Sequence, residues 1–210
     1  MALVKYNNNS LSAITAASSL PTGAMTLIKE ITASSDDTID FVDGTSDVVL
    51  DSTYPIYLFK FINIHPSNDG AQFTFQGNAA GGSGYNETIT STIFYAYHNE
   101  ADNDTTLSYR TAADQAQGTA FQQITTYGIG FGNDASLSGY LRLFNPSSTT
   151  FVKHFMGRVN NEYDSSAAYA VDAYVAGYFN TTSAIDEIQF KGSAGNIDAG
   201  TIKLYGIKDS

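Results

Sequence analysis

The stretch that decides the fold class is Ala184–Lys208, AIDEIQFKGSAGNIDAGTIKLYGIK. In its first half Ile188 and Phe190 alternate with Glu187 and Gln189; in its second, Ile202 and Leu204 alternate with Thr201, Lys203 and Tyr205. A period of two sends successive side chains to opposite faces, so each half reads as a strand with one face in a core. Between them Gly192, Gly195, Asn196, Asp198 and Gly200 tolerate positive φ, and the run is expected to reverse in a long hairpin loop as an antiparallel pair. A lone hairpin is marginal in water, so the chain upstream must supply the strands against which this pair packs.

Those strands are legible in order. MTLIKEIT from Met25 and DTIDFVD are short alternating runs, with a turn at Asp43-Gly44. Pro55–Ile64, PIYLFKFINI, carries Ile56, Leu58, Ile62 and Ile64 on one face and Tyr57, Phe59 and Phe61 on the other. It is expected to be a central strand buried on both sides, with Pro55 as its first residue. AQFTFQ sets Phe73 and Phe75 against Gln72, Thr74 and Gln76; ITSTIFYAYH, LSGYLRLFN, TFVKHFMGRV and YAVDAYVAGYFN follow. From Arg110 to Ile124, Ala112, Ala113, Ala116, Ala120, Phe121 and Ile124 fall partly at helical spacing, and a short helix is expected there. Nine or ten strands with several long loops predict an all-β fold, a jelly-roll-like antiparallel β-sandwich over residues 25–210. Residues 1–24, with Leu3, Val4, Tyr6, Leu11, Ile14 and Leu20 spaced too irregularly for a face, read as an extended N-terminal arm.

Composition narrows the function. Of 210 residues 15% are charged, below the roughly 25% of ordinary soluble domains, so the surface must be largely Ser, Thr, Asn and Gly. A net charge of −11, with ten scattered Lys and Arg, argues against nucleic acid, because neutralising phosphates needs clustered cations. Without cysteine there are no disulfides or thiolate metal sites. No apolar run approaches the roughly 18 residues of a membrane helix, so no membrane insertion is expected. The N-terminus lacks the long apolar segment of a signal peptide.

Motifs for catalysis are missing. His65, His98 and His154 lie far apart, outside any zinc-binding spacing. After His98, the carboxylates of Glu100, Asp102 and Asp104 form a candidate Ca²⁺ loop; without the Gly and terminal Glu of a helix-loop-helix calcium site, a solvated acidic turn is the stronger reading. Gly77–Gly84 is Gly-rich but lacks the Lys and following helix of a phosphate loop. No nucleophile elbow occurs, and no catalytic residue or cofactor is assigned. Paired carboxylates for glycoside hydrolysis depend on a spatial separation that spacing does not give. Tyrosine is the remaining functional residue type, because it offers a large contact area at small entropic cost. Tyr85, Tyr127 and Tyr163, expected on loops, are candidate glycan or subunit contacts. Tyr95, Tyr97, Tyr109, Tyr140, Tyr169, Tyr174 and Tyr178 fall in or beside strand patterns and are read as packing residues with the hydroxyl at the rim.

The arm MALVKYNNNSLSAI together with DSTYPIYLFKFINIHP, YAYHNEAD, LFNPSSTTFVKHF and VAGYFNTTSAIDEIQFKGSAGNIDAGTIKLYGI resembles a family of structural or tail-fibre-like proteins of tailed, especially marine, phages. The resemblance runs over most of the chain. It implies a virion component and brings no catalytic motif. Two roles are consistent with it: decoration of the capsid through the arm, with the major capsid protein as partner, and adhesion to host-surface glycan at a fibre tip. Ordering each arm residue costs about 1–2 kcal/mol of backbone entropy, whereas each of its few apolar side chains returns about 1.5–3 kcal/mol when buried. Pairing with a sheet edge would make up the difference. The arm is therefore expected either on its own domain or across a neighbouring subunit or the capsid lattice; crossing makes a homo-oligomer, a trimer by analogy with other virion sandwiches.

Overall fold

Alternating side chains need two layers to bury their apolar faces, and the chain supplies them. The computed structural model describes residues 24–163 and 168–208. Its elements are β1 (Met25–Thr32), β2 (Ile39–Val42), β3 (Ile56–Pro66), β4 (Phe73–Ala79), β5 (Ile89–Asn99), β6 (Thr105–Tyr109), β7 (Ala116–Gly118), β8 (Gln122–Gln123), β9 (Leu137–Phe144), β10 (Lys153–Tyr163), β11 (Tyr169–Phe179), β12 (Ile185–Gly192) and β13 (Ile197–Ile207). One sheet has nine strands, in the order β1-β13-β3-β9-β10-β11-β5-β6 with β7 also on β5; the other has four, in the order β2-β12-β4-β8. Neighbouring strands pair antiparallel throughout. The two sheets form an all-β antiparallel sandwich.

Phenylalanines fill the space between the sheets. Phe190 of β12 lies 5.2 Å from Phe59 and 5.3 Å from Phe61 on β3, and is stacked at 5.7 Å on Phe73 of its own sheet. Phe75 meets Phe155 edge to face at 5.0 Å, which ties β4 to β10. These edge and offset arrangements suit the ring quadrupoles, and all six rings are buried.

Three expectations are corrected. The strands of Ala184–Lys208 exist with the predicted facing, Ile188, Phe190, Ile202 and Leu204 being buried, but they do not pair. β12 lies between β2 and β4, and β13 lies between β1 and β3, so the Gly-rich connection carries the chain from one sheet to the other. A strand's alternation fixes which face is buried and leaves its neighbour open. Next, β3 is central, but its second face is only partly covered. Tyr57, Phe59 and Phe61 are in the core and Leu58 is buried on the opposite face, where Ile62 is 41% exposed. A bulge at Asn63, with φ of 51°, then turns Ile64 inward; Gly200 on β13 matches it with φ of 111°, where a Cβ would stand 2.5 Å from the Asn63 carbonyl oxygen.

The helix over Arg110–Ile124 is absent; the segment holds β7 and β8 instead. Glutamine side chains take the backbone groups that helical bonds would use. Buried Gln122 donates through Nε2 to the carbonyls of Ala113 and Gln123 and accepts from the Ser91 hydroxyl at 2.6 Å. Buried Gln76 donates to the carbonyls of Glu87, Thr119 and Ala120. These loops cover the back of β4, which explains why Thr74, Gln76 and Asn78, on a face that reads as exposed, are buried.

Candidate functional site

At the end of the sandwich where β5, β10 and β11 meet the loop after β8, four tyrosines close a ring. In the ladders Tyr163 stands opposite Tyr169, and Val171 opposite Tyr97. The ring centroids run Tyr97–Tyr127 5.9 Å, Tyr127–Tyr163 5.2 Å, Tyr163–Tyr169 6.1 Å and Tyr169–Tyr97 5.0 Å. With Val171 as the fifth lining residue they line a half-open cavity of about 210 Å³. Alternation places these side chains on the inner face of the large sheet, beyond the end of the phenylalanine core.

Three of the four hydroxyls are engaged. Tyr169 donates to the Asp104 carboxylate at 3.0 Å and Tyr97 to the same carboxylate at 3.4 Å, while the Tyr127 and Tyr95 hydroxyls share a bond of 3.2 Å. Desolvation and the nearby Asp104 charge raise the Tyr97 pKa, and for Tyr169 the bond to Asp104 leads the rise. Burial, with the bond to Tyr95, pushes Tyr127 up to about 12. Tyr97, Tyr127 and Tyr169 are therefore neutral phenols at physiological pH. The Arg110 guanidinium lies 4.7 Å from the Tyr127 centroid without lining the cavity, a cation already drawn to one of these rings.

A second region is the outer face of the large sheet. Nine large hydrophobic side chains are exposed among the described residues, and seven of them stand on this face: Met25, Leu27, Ile62, Phe94, Leu107, Tyr109 and Met156. Their ladder partners place them there: Met156 stands opposite Arg142, Phe94 opposite Tyr174 and Tyr109, Leu107 opposite Ala96, Ile62 opposite Thr201, Leu27 opposite Tyr205 and Met25 opposite Ile207. Phe94 stacks on Tyr174 at 4.8 Å, beside Arg158, which holds Asp172 through two bonds of 2.9 and 2.8 Å. Shallow grooves floored by Gly157 and Ala176 run between these side chains. Four cations, Lys60, Arg142, Arg158 and Lys203, share this face; Arg158 is paired with Asp172 and Lys203 with Glu30.

Of the tyrosines expected on loops, Tyr127 and Tyr163 are brought together in the ring, half-buried rather than at loop tips. Tyr85 is elsewhere, 6.5 Å from Phe121, and desolvation together with the charges of Asp40 and Glu187 raises its pKa. Tyr97 and Tyr169, read as packing residues, complete the ring. Their sign in the sequence was their position at strand ends, where a core-facing aromatic can outreach the opposing sheet.

The acidic turn does not assemble a metal site: among the described residues no group of three or more His, Asp or Glu is placed to hold an ion. Asp104 serves the two tyrosines, Asp102 meets His98 at 3.0 Å, and the turn is tied by Asn99, whose Oδ1 accepts from the amides of Asn103 and Asp104. The arm residues Leu3, Val4, Tyr6, Leu11, Ile14 and Leu20 lie outside the described residues. No protein-family model, curated protein or solved structure matches the chain.

Proposed function

We propose that this chain is a non-enzymatic structural protein of a tailed-phage virion, which decorates the capsid through residues 1–24 and associates with copies of itself through the outer face of the large sheet. The observation that carries the self-association is that face: seven of the nine large apolar side chains exposed among the described residues stand on one side of the sandwich. Charge supports a second copy as its occupant. Lys60 and Arg142 stand there without a carboxylate partner among the described residues, in a chain of net charge −11. Joining this face to a different, acidic surface of the next copy is a head-to-tail contact, the kind that closes into a ring such as a trimer. The virion assignment rests on the family resemblance, and the arm enters the domain at β1, an edge strand of the same sheet.

The test is sedimentation of three purified proteins: the full chain, the chain lacking residues 1–23, and Phe94→Ser combined with Met156→Ser. An oligomer that the paired substitutions dissociate supports the outer face as the interface; a monomeric full chain at high concentration refutes it. Immunolabelling of intact virions with antibody to this protein tests the location, and labelled tail tips in place of capsids would favour the second reading, a glycan-binding adhesin. That reading draws support from the groove where Tyr140 and Tyr174 flank the Arg158–Asp172 pair, since sugars are held by aromatic faces beside fixed polar groups.

A further inference from the structure

The tyrosine ring has a chemistry that neither assembly nor packing uses. We propose that it is a binding site for an alkylated ammonium group, a cation of the kind carried by choline or a methylated amine. A cation over an aromatic face is attracted by the ring quadrupole, and cages of several such rings recognise quaternary ammonium. Here four tyrosines line one half-open cavity of about 210 Å³, several times the roughly 30 Å³ share of a water molecule and large enough for a trimethylammonium head.

The hydroxyls bear on the choice between a cation and a sugar. A sugar needs donors directed at it, but Tyr97 and Tyr169 already donate to Asp104 and Tyr127 is bonded to Tyr95, which leaves Tyr163 as the one hydroxyl of the four not committed to such a bond. Donation to a carboxylate also enriches the two rings concerned, and the Asp104 charge lies behind them. Asn161, opposite the lining residue Val171 in the β10–β11 ladder, carries a buried Oδ1 without a hydrogen-bond partner. The opposing charge is Arg110, which stands over Tyr127 outside the lining and shows that the ring accepts a cation.

The experiment is a proton NMR titration of the full chain with choline and, separately, with its neutral tert-butyl analogue, in which carbon replaces nitrogen. Choline methyl signals are expected to shift upfield and saturate, with the neutral analogue roughly tenfold weaker, a ratio within reach of cation–π attraction at a partly desolvated site. Tyr163→Leu should weaken choline binding by about tenfold, while Tyr163→Phe, which keeps the ring, should stay within about threefold. Equal affinity for the neutral analogue would show an apolar cavity only and overturn the proposal. So would the absence of a saturable choline shift at tens of millimolar, or displacement of choline by neutral monosaccharides at lower concentration. The comparison of the two ligands uses the unaltered protein, so it stands even if a variant fails to fold.

Discussion

Replacing Phe190 by Ala removes the ring on which both sheets converge. Five other phenylalanines surround it: Phe59 at 5.2 Å, Phe61 at 5.3 Å, Phe73 at 5.7 Å, Phe41 at 6.1 Å and Phe75 at 6.3 Å. Phe→Ala in a core costs about 3–5 kcal/mol, the spread reflecting how far the site can collapse. Collapse is restricted here because four of the five surrounding rings belong to strands hydrogen-bonded on both sides, β3 between β13 and β9 and β4 between β12 and β8. The loss should therefore lie at the upper end, about 4–5 kcal/mol, or roughly 8–20 °C in melting temperature for a protein of this size. Phe94→Ala is the control. That ring is 43% exposed and stacks only on Tyr174, so about 1 kcal/mol is expected. Denaturant unfolding followed by tyrosine fluorescence and circular dichroism measures both. A loss below about 2 kcal/mol for Phe190→Ala, or one equal to that of Phe94→Ala, would refute the view that a single phenylalanine cluster joins the sheets.

Further predictions concern the ladder, the glutamine network and alkaline pH. At Gly139 a Cβ would stand 2.3 Å from the Arg158 carbonyl oxygen and 2.7 Å from the Val159 Cα, so Gly139→Ala must part β9 from β10; thermal unfolding should show a loss of about 1–3 kcal/mol or more, and neutrality would mean the strands are not that close. Gln122→Leu keeps the volume but strands the carbonyls of Ala113 and Gln123, and should cost about 2–4 kcal/mol with no gain of helix in circular dichroism; recovery of helical signal would contradict the account of this segment. Tyr127 ionises at about 12 when folded against about 10 when unfolded, so the unfolded state releases its proton first. Its contribution is complete below about pH 10 and is lost as pH rises from there through about 12. Tyr127→Phe should flatten that part of the stability profile; an unchanged slope would show that Tyr127 does not hold its proton.

The fold class was legible because a period of two is a local property: MTLIKEIT, ITSTIFYAYH and YAVDAYVAGYFN became β1, β5 and β11 from their own alternation. Resolution failed where side chains from distant segments supply the hydrogen bonds. The alanines of Arg110–Ile124 favour a helix locally, yet Gln76, Gln115 and Gln122 offer the same backbone better partners, and no pattern within that segment announces Gln76. The candidate site was half legible. Tyr127 and Tyr163 stood out as tyrosines on loops, whereas Tyr97 and Tyr169 were hidden among strand tyrosines, because what distinguishes them is the neighbour across the sandwich.

What the sequence by itself determined is which side of each strand is buried, since hydrophobic alternation is written residue by residue and a slip of one position would expose the core. What only the tertiary structure decided is partnership. Ile188–Phe190 and Ile202–Leu204 carry equally apolar faces that satisfy a hairpin or a crossing between sheets, and the crossing is taken because β12 completes its hydrogen bonds with β2 and β4, and β13 with β1 and β3. In the same way the closing of four tyrosines around one cavity depends on the register of β10, β11 and β5, a property of the ladders and of no single strand.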